Sequence, residues 1–108
     1  MATAYKVLGQ SNPAAATDTT LYTVPASTET VVSTISIANL GTTGTFRIAI
    51  RPAAASIANE HYLVYDATLN ANDSITLTLG ITLATTDVIT VRASNTSFAF
   101  QAFGSEIA

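Results

Sequence analysis

The feature that most constrains the fold is a period-two alternation of apolar and small polar residues between positions 73 and 104. This alternation is typical of a half-buried β-strand, in which successive side chains point to opposite faces. Turn-forming residues, including Gly80, separate the alternating segments from one another. The stretch therefore predicts three or four short antiparallel strands, with alternating segments at residues 74–79, 89–93 and 98–102.

Further strand-forming segments precede this stretch, and no long amphipathic helix interrupts them. They are rich in β-branched and aromatic residues and lie at residues 19–24, 30–38, 45–51 and 60–66. The turn with two glycines between the second and third of these predicts a β-hairpin over residues 30–51. About eight short strands at roughly ten-residue spacing are typical of a small sandwich or barrel. We expect an all-β, single-domain antiparallel β-sandwich that is jelly-roll-like.

The first eighteen residues differ in character from the rest of the chain. Residues 5–8 form a short apolar patch that can serve as an edge strand, and Asn12-Pro13 and three alanines follow it. Proline and small residues favour an extended segment with little core contact. We therefore expect residues 1–18 to form an extended N-terminal arm and residues 19–108 to form the sandwich domain. Tyr5, Lys6 and Pro13 are candidate interface residues of this arm.

The composition indicates a protein whose surface is covered by other chains. Charged residues make up 10% of the 108 residues, against a usual share of about 25%. Uncharged strands with open edges invite pairing with neighbours, so we expect an obligate homo-oligomer or a component of an assembly. A secreted monomer with a threonine-rich face is the alternative.

The same composition argues against several classes of partner. With four basic residues and a net charge of −3, the chain is poorly suited to nucleic acid. It has no cysteine, so no disulfide or thiolate metal site is expected. No signal peptide or membrane helix is expected either, because no apolar run approaches about 20 residues.

No stretch of the chain carries a catalytic signature. His61 is the single histidine, and its neighbour Glu60 would point to the opposite face of a strand, which makes the two poor partners in a metal site. Asp66, Asp73 and Asp87 fall in predicted turns, where aspartates usually accept hydrogen bonds from backbone amides. We therefore expect neither an enzyme nor a bound cofactor.

Four residues outside the arm are candidates for interface contacts. Arg47 and Arg51 share the outward face of one predicted strand, and Arg92 faces outward on another. On so uncharged a protein, each arginine either anchors a partner's carboxylate or is simply solvated. The alternation places Phe98 and Phe100 in the core and Phe103 on the opposite face. Phe103 is therefore either covered by a second layer or exposed as a subunit contact.

Several stretches together resemble small virion structural proteins of tailed bacteriophages. They are YKVLGQ at 5–10, LYTVPA at 21–26, VVSTI at 31–35 and FGSEI at 103–107. The resemblance implies a jelly-roll or similar β-sandwich on a particle. It implies a capsid cement (decoration) protein, often trimeric, that binds the major capsid protein or other virion proteins and clamps neighbouring capsid subunits.

The resemblance leaves a tail, baseplate or fibre component as the close competitor. Either role implies a protein that is made in the host cytoplasm and resides in the virion. Two other classes stay open, a carbohydrate-binding module and a small hydrolase. The first predicts glycan affinity, although the tyrosines do not line a single strand face; the second predicts activity that depends on His61 or the turn aspartates.

Overall fold

The structure is a computed structural model that describes residues 2–108. Two short 3-10 turns accompany the strands, at Pro52–Ala54 and Asn59–His61. In chain order the strands are β1 (Thr3–Ser11), β2 (Thr19–Thr23), β3 (Glu29–Asn39), β4 (Gly44–Arg51), β5 (Tyr62–Leu69), β6 (Ser74–Leu77), β7 (Ile81–Leu83), β8 (Val88–Ala93) and β9 (Phe98–Ile107). The expected all-β fold is confirmed, with nine strands within the described range.

The strands form two antiparallel sheets that pack face to face. The five-stranded sheet has the order β1-β9-β3-β6, and β7 also pairs with β3; the four-stranded sheet has the order β2-β8-β4-β5. β1 pairs with β9, β2 with β8, β3 with β6 and β7, and β4 with β5. Strands from the first half of the chain thus pair in reverse order with strands from the second half, and the paired ribbon folds into two sheets. This is the jelly-roll arrangement.

The core lies between the sheets and is filled by the residues that the alternation places inward. Phe98 and Phe100 of β9 are fully buried, as predicted, and so is Ile37 of β3. Phe46 reaches them from the opposite sheet, with its ring centroid 6.1 Å from that of Phe98 and 6.2 Å from that of Phe100. These three rings join the two layers at one end of the sandwich.

The predicted hairpin over residues 30–51 is wrong. β3 and β4 lie in different sheets, and the loop between them crosses from one layer to the other. The buried Asn39 fixes this crossing, because its side-chain amide donates to the carbonyl oxygens of Thr42 (2.8 Å) and Leu69 (3.0 Å). Alternation shows which face of a strand is buried, but it does not show which strand lies beside it.

Much of the extended arm expected over residues 1–18 is the edge strand β1 of the five-stranded sheet. β1 pairs with β9 from Thr3 opposite Ile107 to Ser11 opposite Phe100. Pro13 is buried, contrary to the little core contact expected for it. Its neighbour Asn12 donates from its side chain to the carbonyl oxygens of Thr96 (2.9 Å) and Phe98 (2.6 Å). The edge strand expected at residues 5–8 is thus part of a longer strand that packs with the sandwich, and Asn12 fixes the chain where this strand ends.

Phe98 and Phe103 point to opposite faces of β9, and the free energy of unfolding of their alanine variants tests this orientation. We expect Phe98→Ala to lower the free energy of unfolding by about 3–5 kcal/mol, because it leaves a cavity in the packed core. Phe103→Ala should lower it by about 1 kcal/mol, because that ring is half-buried on the outer face. Urea unfolding measures both values. Equal losses for the two variants would contradict this assignment of faces.

Candidate functional site

The outer face of the five-stranded sheet is the surface best suited to contact another protein. Because Phe98, Phe100 and Ala102 of β9 are buried, the residues between and after them point away from the core. The strand register places side chains of β1, β3, β6 and β7 beside them. We call this surface the uncharged face after the residues that make up most of it, namely Tyr5, Val7, Gln10, Val31, Ser33, Ser36, Thr76, Thr82, Ala99, Gln101, Phe103 and Ser105. The charged Glu29 lies on the same side of the sheet at the start of β3, opposite Ile107.

An apolar patch lies where β1, β9 and β3 meet on the uncharged face. Tyr5 is 86% exposed and Val7 is 49% exposed. Phe103 lies opposite Val7 in the ladder, and Val31 shares a row with Tyr5. Phe103 and Val31 are half-buried by their neighbours on the sheet itself. Within residues 2–108 no second layer covers Phe103, so its half-buried ring lies on the surface of the sheet.

Gly104 allows β9 and β3 to approach closely beneath this patch. A Cβ atom at position 104 would collide with the carbonyl oxygen of Val31. The ladder between the two strands changes register here, between Val32 and Thr34. The glycine is thus required by a close backbone contact, which sequence alternation alone does not reveal.

A polar network ties β1 to both sheets beside the uncharged face. The Glu106 carboxylate accepts a hydrogen bond from the hydroxyl of Tyr22 and lies 2.7 Å from Nζ of Lys6. The Tyr22 hydroxyl is also 2.8 Å from Oγ1 of the buried Thr30. These groups come from β1, β2, β3 and β9. Lys6, a predicted interface residue, is therefore engaged within its own chain.

The network shifts the pKa values of its members in opposite directions. Burial, reinforced by the hydrogen bond to Glu106, raises the pKa of Tyr22 to about 12. Hydrogen bonds from Lys6 and from Tyr22 lower the pKa of Glu106 below its usual value. Both shifts favour a neutral phenol that donates to an ionised carboxylate.

The three arginines lie on the outer side of the other sheet, and each has a partner within the chain. Arg47 binds Asp66 through Nε, 2.7 Å from Oδ1, and its guanidinium lies 4.2 Å from the centroid of the Tyr65 ring. The guanidinium holds the pKa of Asp66 below its usual value. Asp66 belongs to β5 rather than to the turn expected for it, at a position with positive φ.

The remaining two arginines are also engaged by their own fold. Arg51 donates to the carbonyl oxygens of Ala55 (2.6 Å) and Ala54 (3.2 Å) in the loop that follows β4. Arg92 lies 3.5 Å from Asp18. The structure thus separates the predicted interface residues: Tyr5 and Phe103 share the uncharged face, whereas the arginines lie on the opposite sheet.

The residues considered for catalysis do not form a common site, and the side chains of His61 and Asp87 accept hydrogen bonds from nearby backbone amides. His61 is half-buried in the second 3-10 turn, where Nδ1 accepts a hydrogen bond from the amide of Ala58 (3.1 Å). Asp87 accepts from the amides of Ala53 (2.8 Å) and Ala84 (2.9 Å), as predicted for a turn aspartate. Among residues 2–108, no three side chains of His, Cys, Asp or Glu cluster as a metal site would require.

Comparisons with protein-family models, with curated proteins and with solved structures found no match. No helix within the described range has the length and apolar character needed to cross a membrane.

The shifted pKa of Tyr22 predicts a loss of stability in base. The folded protein holds the phenolic proton up to about pH 12, whereas the unfolded chain releases it near pH 10. The contribution of the Tyr22 proton to the free energy of unfolding is thus fully present below pH 10. It is lost as the pH rises toward 12, which lowers the free energy of unfolding by about 2–3 kcal/mol. Tyr22→Phe has no proton to release, so its decline should be smaller by that amount. Denaturant unfolding across this range measures the difference, and identical declines would contradict the network.

Proposed function

We propose that the protein is a structural component of a bacteriophage virion that acts by forming interfaces, most specifically as a capsid cement protein. The observation that carries the proposal is the uncharged face, on which Tyr5 and Val7 are exposed and Phe103 is half-buried. Aromatic residues in the middle of an uncharged surface are typical anchors of protein–protein contacts. The jelly-roll topology is used in viral capsid proteins, which is compatible with this role without establishing it.

The mechanism of such a protein is binding that favours the assembled state. A cement protein that binds the assembled shell more tightly than free capsid subunits stabilises the shell by mass action. A contact of standard size buries about 800 Å² on each partner, roughly one seventh of this chain's 5455 Å² surface. The outer face of a five-stranded sheet can supply such a contact without rearrangement. The major capsid protein is the partner that we propose, and the virion is the site of action after synthesis in the host cytoplasm.

A non-catalytic role is part of the proposal. Within the described chain, His61 and Asp87 accept hydrogen bonds from backbone amides, and Asp66 is paired with Arg47. The protein would then act only through the free energy of binding at its contacts with other proteins. A tail, baseplate or fibre component would use the same face, and it differs from a cement protein in where the chain sits on the particle.

A carbohydrate-binding module is the second candidate, and one observation favours it. Tyr62 and Tyr65 form an edge-to-face pair with centroids 4.8 Å apart, beside Asn59. Exposed aromatic rings next to an amide are suited to stacking against a sugar. However, the guanidinium of Arg47 lies over the Tyr65 ring. Affinity of the isolated protein for glycans, lost on Tyr65→Ala, would support this function in place of the virion role.

The proposed function is tested by the binding of purified protein to virus particles stripped of it. We expect Phe103→Ala to weaken particle binding at least tenfold, because the variant removes an anchor worth about 1.4 kcal/mol or more. Leu63→Ala is the matched control, since Leu63 is an exposed apolar residue on the edge strand of the other sheet. Sedimentation of bound protein with particles measures both. Wild-type binding by Phe103→Ala would contradict the proposed face.

A further inference from the structure

The sandwich has four sheet edges, and three of them carry features that prevent strand pairing. β6 and β7 are separate pieces of four and three residues. β5 changes register twice against β4 and has positive φ at Asp66. β2 has five residues and an irregularity after Thr20. Short length, bulges and charges are the usual means by which proteins protect edges.

The fourth edge, β1, lacks this protection over its first half. Its ladder with β9 is regular from Thr3 to Val7, and the register shift comes after Val7. No proline falls within β1. Its one charged residue, Lys6, is paired with the Glu106 carboxylate. A lysine on an edge strand normally discourages pairing with another strand, but the charge of Lys6 is neutralised here by Glu106.

The phase of the β1–β9 ladder shows which backbone groups are left open. Ala2 and Ala108 exchange both of their backbone hydrogen bonds, at 2.9 and 2.8 Å. In an antiparallel pair such residues alternate, so Ala4 and Lys6 also bond to β9. The amide and carbonyl groups of Thr3, Tyr5 and Val7 consequently point to the open edge. Side chains of Tyr5 and Val7 belong to the apolar patch, so the free backbone groups and the patch coincide.

We propose that β1 pairs antiparallel with β1 of a second copy of the chain, with Tyr5 opposite Tyr5 on a two-fold axis. The edge is self-complementary about that axis, because Thr3 of each copy then faces Val7 of the other. The pairing joins the two five-stranded sheets into one continuous sheet and brings both apolar patches together. The inference rests on homo-oligomer formation within the proposed function, but it does not depend on binding to a particle.

The proposed contact has a consequence for symmetry. Pairing of identical strands about a two-fold axis is isologous and closes on two copies. It therefore predicts a dimer. A trimer, which the resemblance to cement proteins favours, requires each chain to use two different surfaces.

A cysteine placed on the proposed axis tests the pairing directly, because the chain has no cysteine of its own. Opposed residues of a hydrogen-bonded antiparallel pair have Cα atoms about 5.5 Å apart, within the range of a disulfide. We expect Tyr5→Cys to form a covalent dimer on mild oxidation. Thr82→Cys is the matched control, because Thr82 lies in the same row of the same face but at the opposite edge. Equal cross-linking of both variants would overturn the proposal.

The solution mass provides a second and independent test. Sedimentation equilibrium of the wild-type chain should give twice its mass of 11.2 kDa. Tyr5→Lys should return the protein to the monomer mass, because like charges would face each other across the axis. Thr82→Lys, which adds the same charge at the far edge, should remain a dimer. Circular dichroism and thermal unfolding check that both variants fold.

The outcomes separate this inference from the proposed function. A monomeric or trimeric wild-type protein, or a Tyr5→Lys variant that stays dimeric, would overturn the β1 pairing whether or not the protein binds particles. A dimer that dissociates on Tyr5→Lys but shows no particle binding would support the pairing and contradict the virion role.

Discussion

The structure depends on the pairing of β9 with a strand on each of its edges. Its ladder with β3 is the longest in the sandwich, and its ladder with β1 holds the N-terminal segment in place. The inward side chains of β9, Phe98 and Phe100, fill the core, and Phe103 faces outward. One strand therefore connects the stability of the fold to the surface that we propose for binding.

The distribution of charge gives the two sheets different properties. The arginines are confined to the four-stranded sheet, where each is paired with groups of its own chain. Such internal pairing leaves little charge to attract or orient a partner. The outer face of the five-stranded sheet offers mainly hydroxyl, amide and apolar side chains, with Glu29 at the start of β3, so its contacts depend chiefly on shape and desolvation. Such a surface suits the permanent assembly that we propose better than rapid, electrostatically steered exchange.

The sequence predicts most of the strands and the buried face of β9, because alternation reports on burial. It is wrong for Ile75 and Leu79, which are exposed, and for Ala49, which is buried. Alternation does not predict which strands pair with one another. The hairpin predicted over residues 30–51 is a crossing between sheets, since both arrangements need the same alternation. The network of Lys6, Tyr22, Thr30 and Glu106 is not predictable from spacing, because only the nested topology brings these residues together. Tyr5 and Phe103 could be nominated from the sequence, whereas their position on one shared face could not.

The most direct test of the account is a cryo-electron microscopy reconstruction of particles that contain this chain. The account predicts that the uncharged face, with Phe103 near its middle, is buried against a neighbouring protein of the particle, while the arginine-bearing side of the four-stranded sheet remains in contact with solvent. Density that placed the uncharged face in solvent would contradict this prediction.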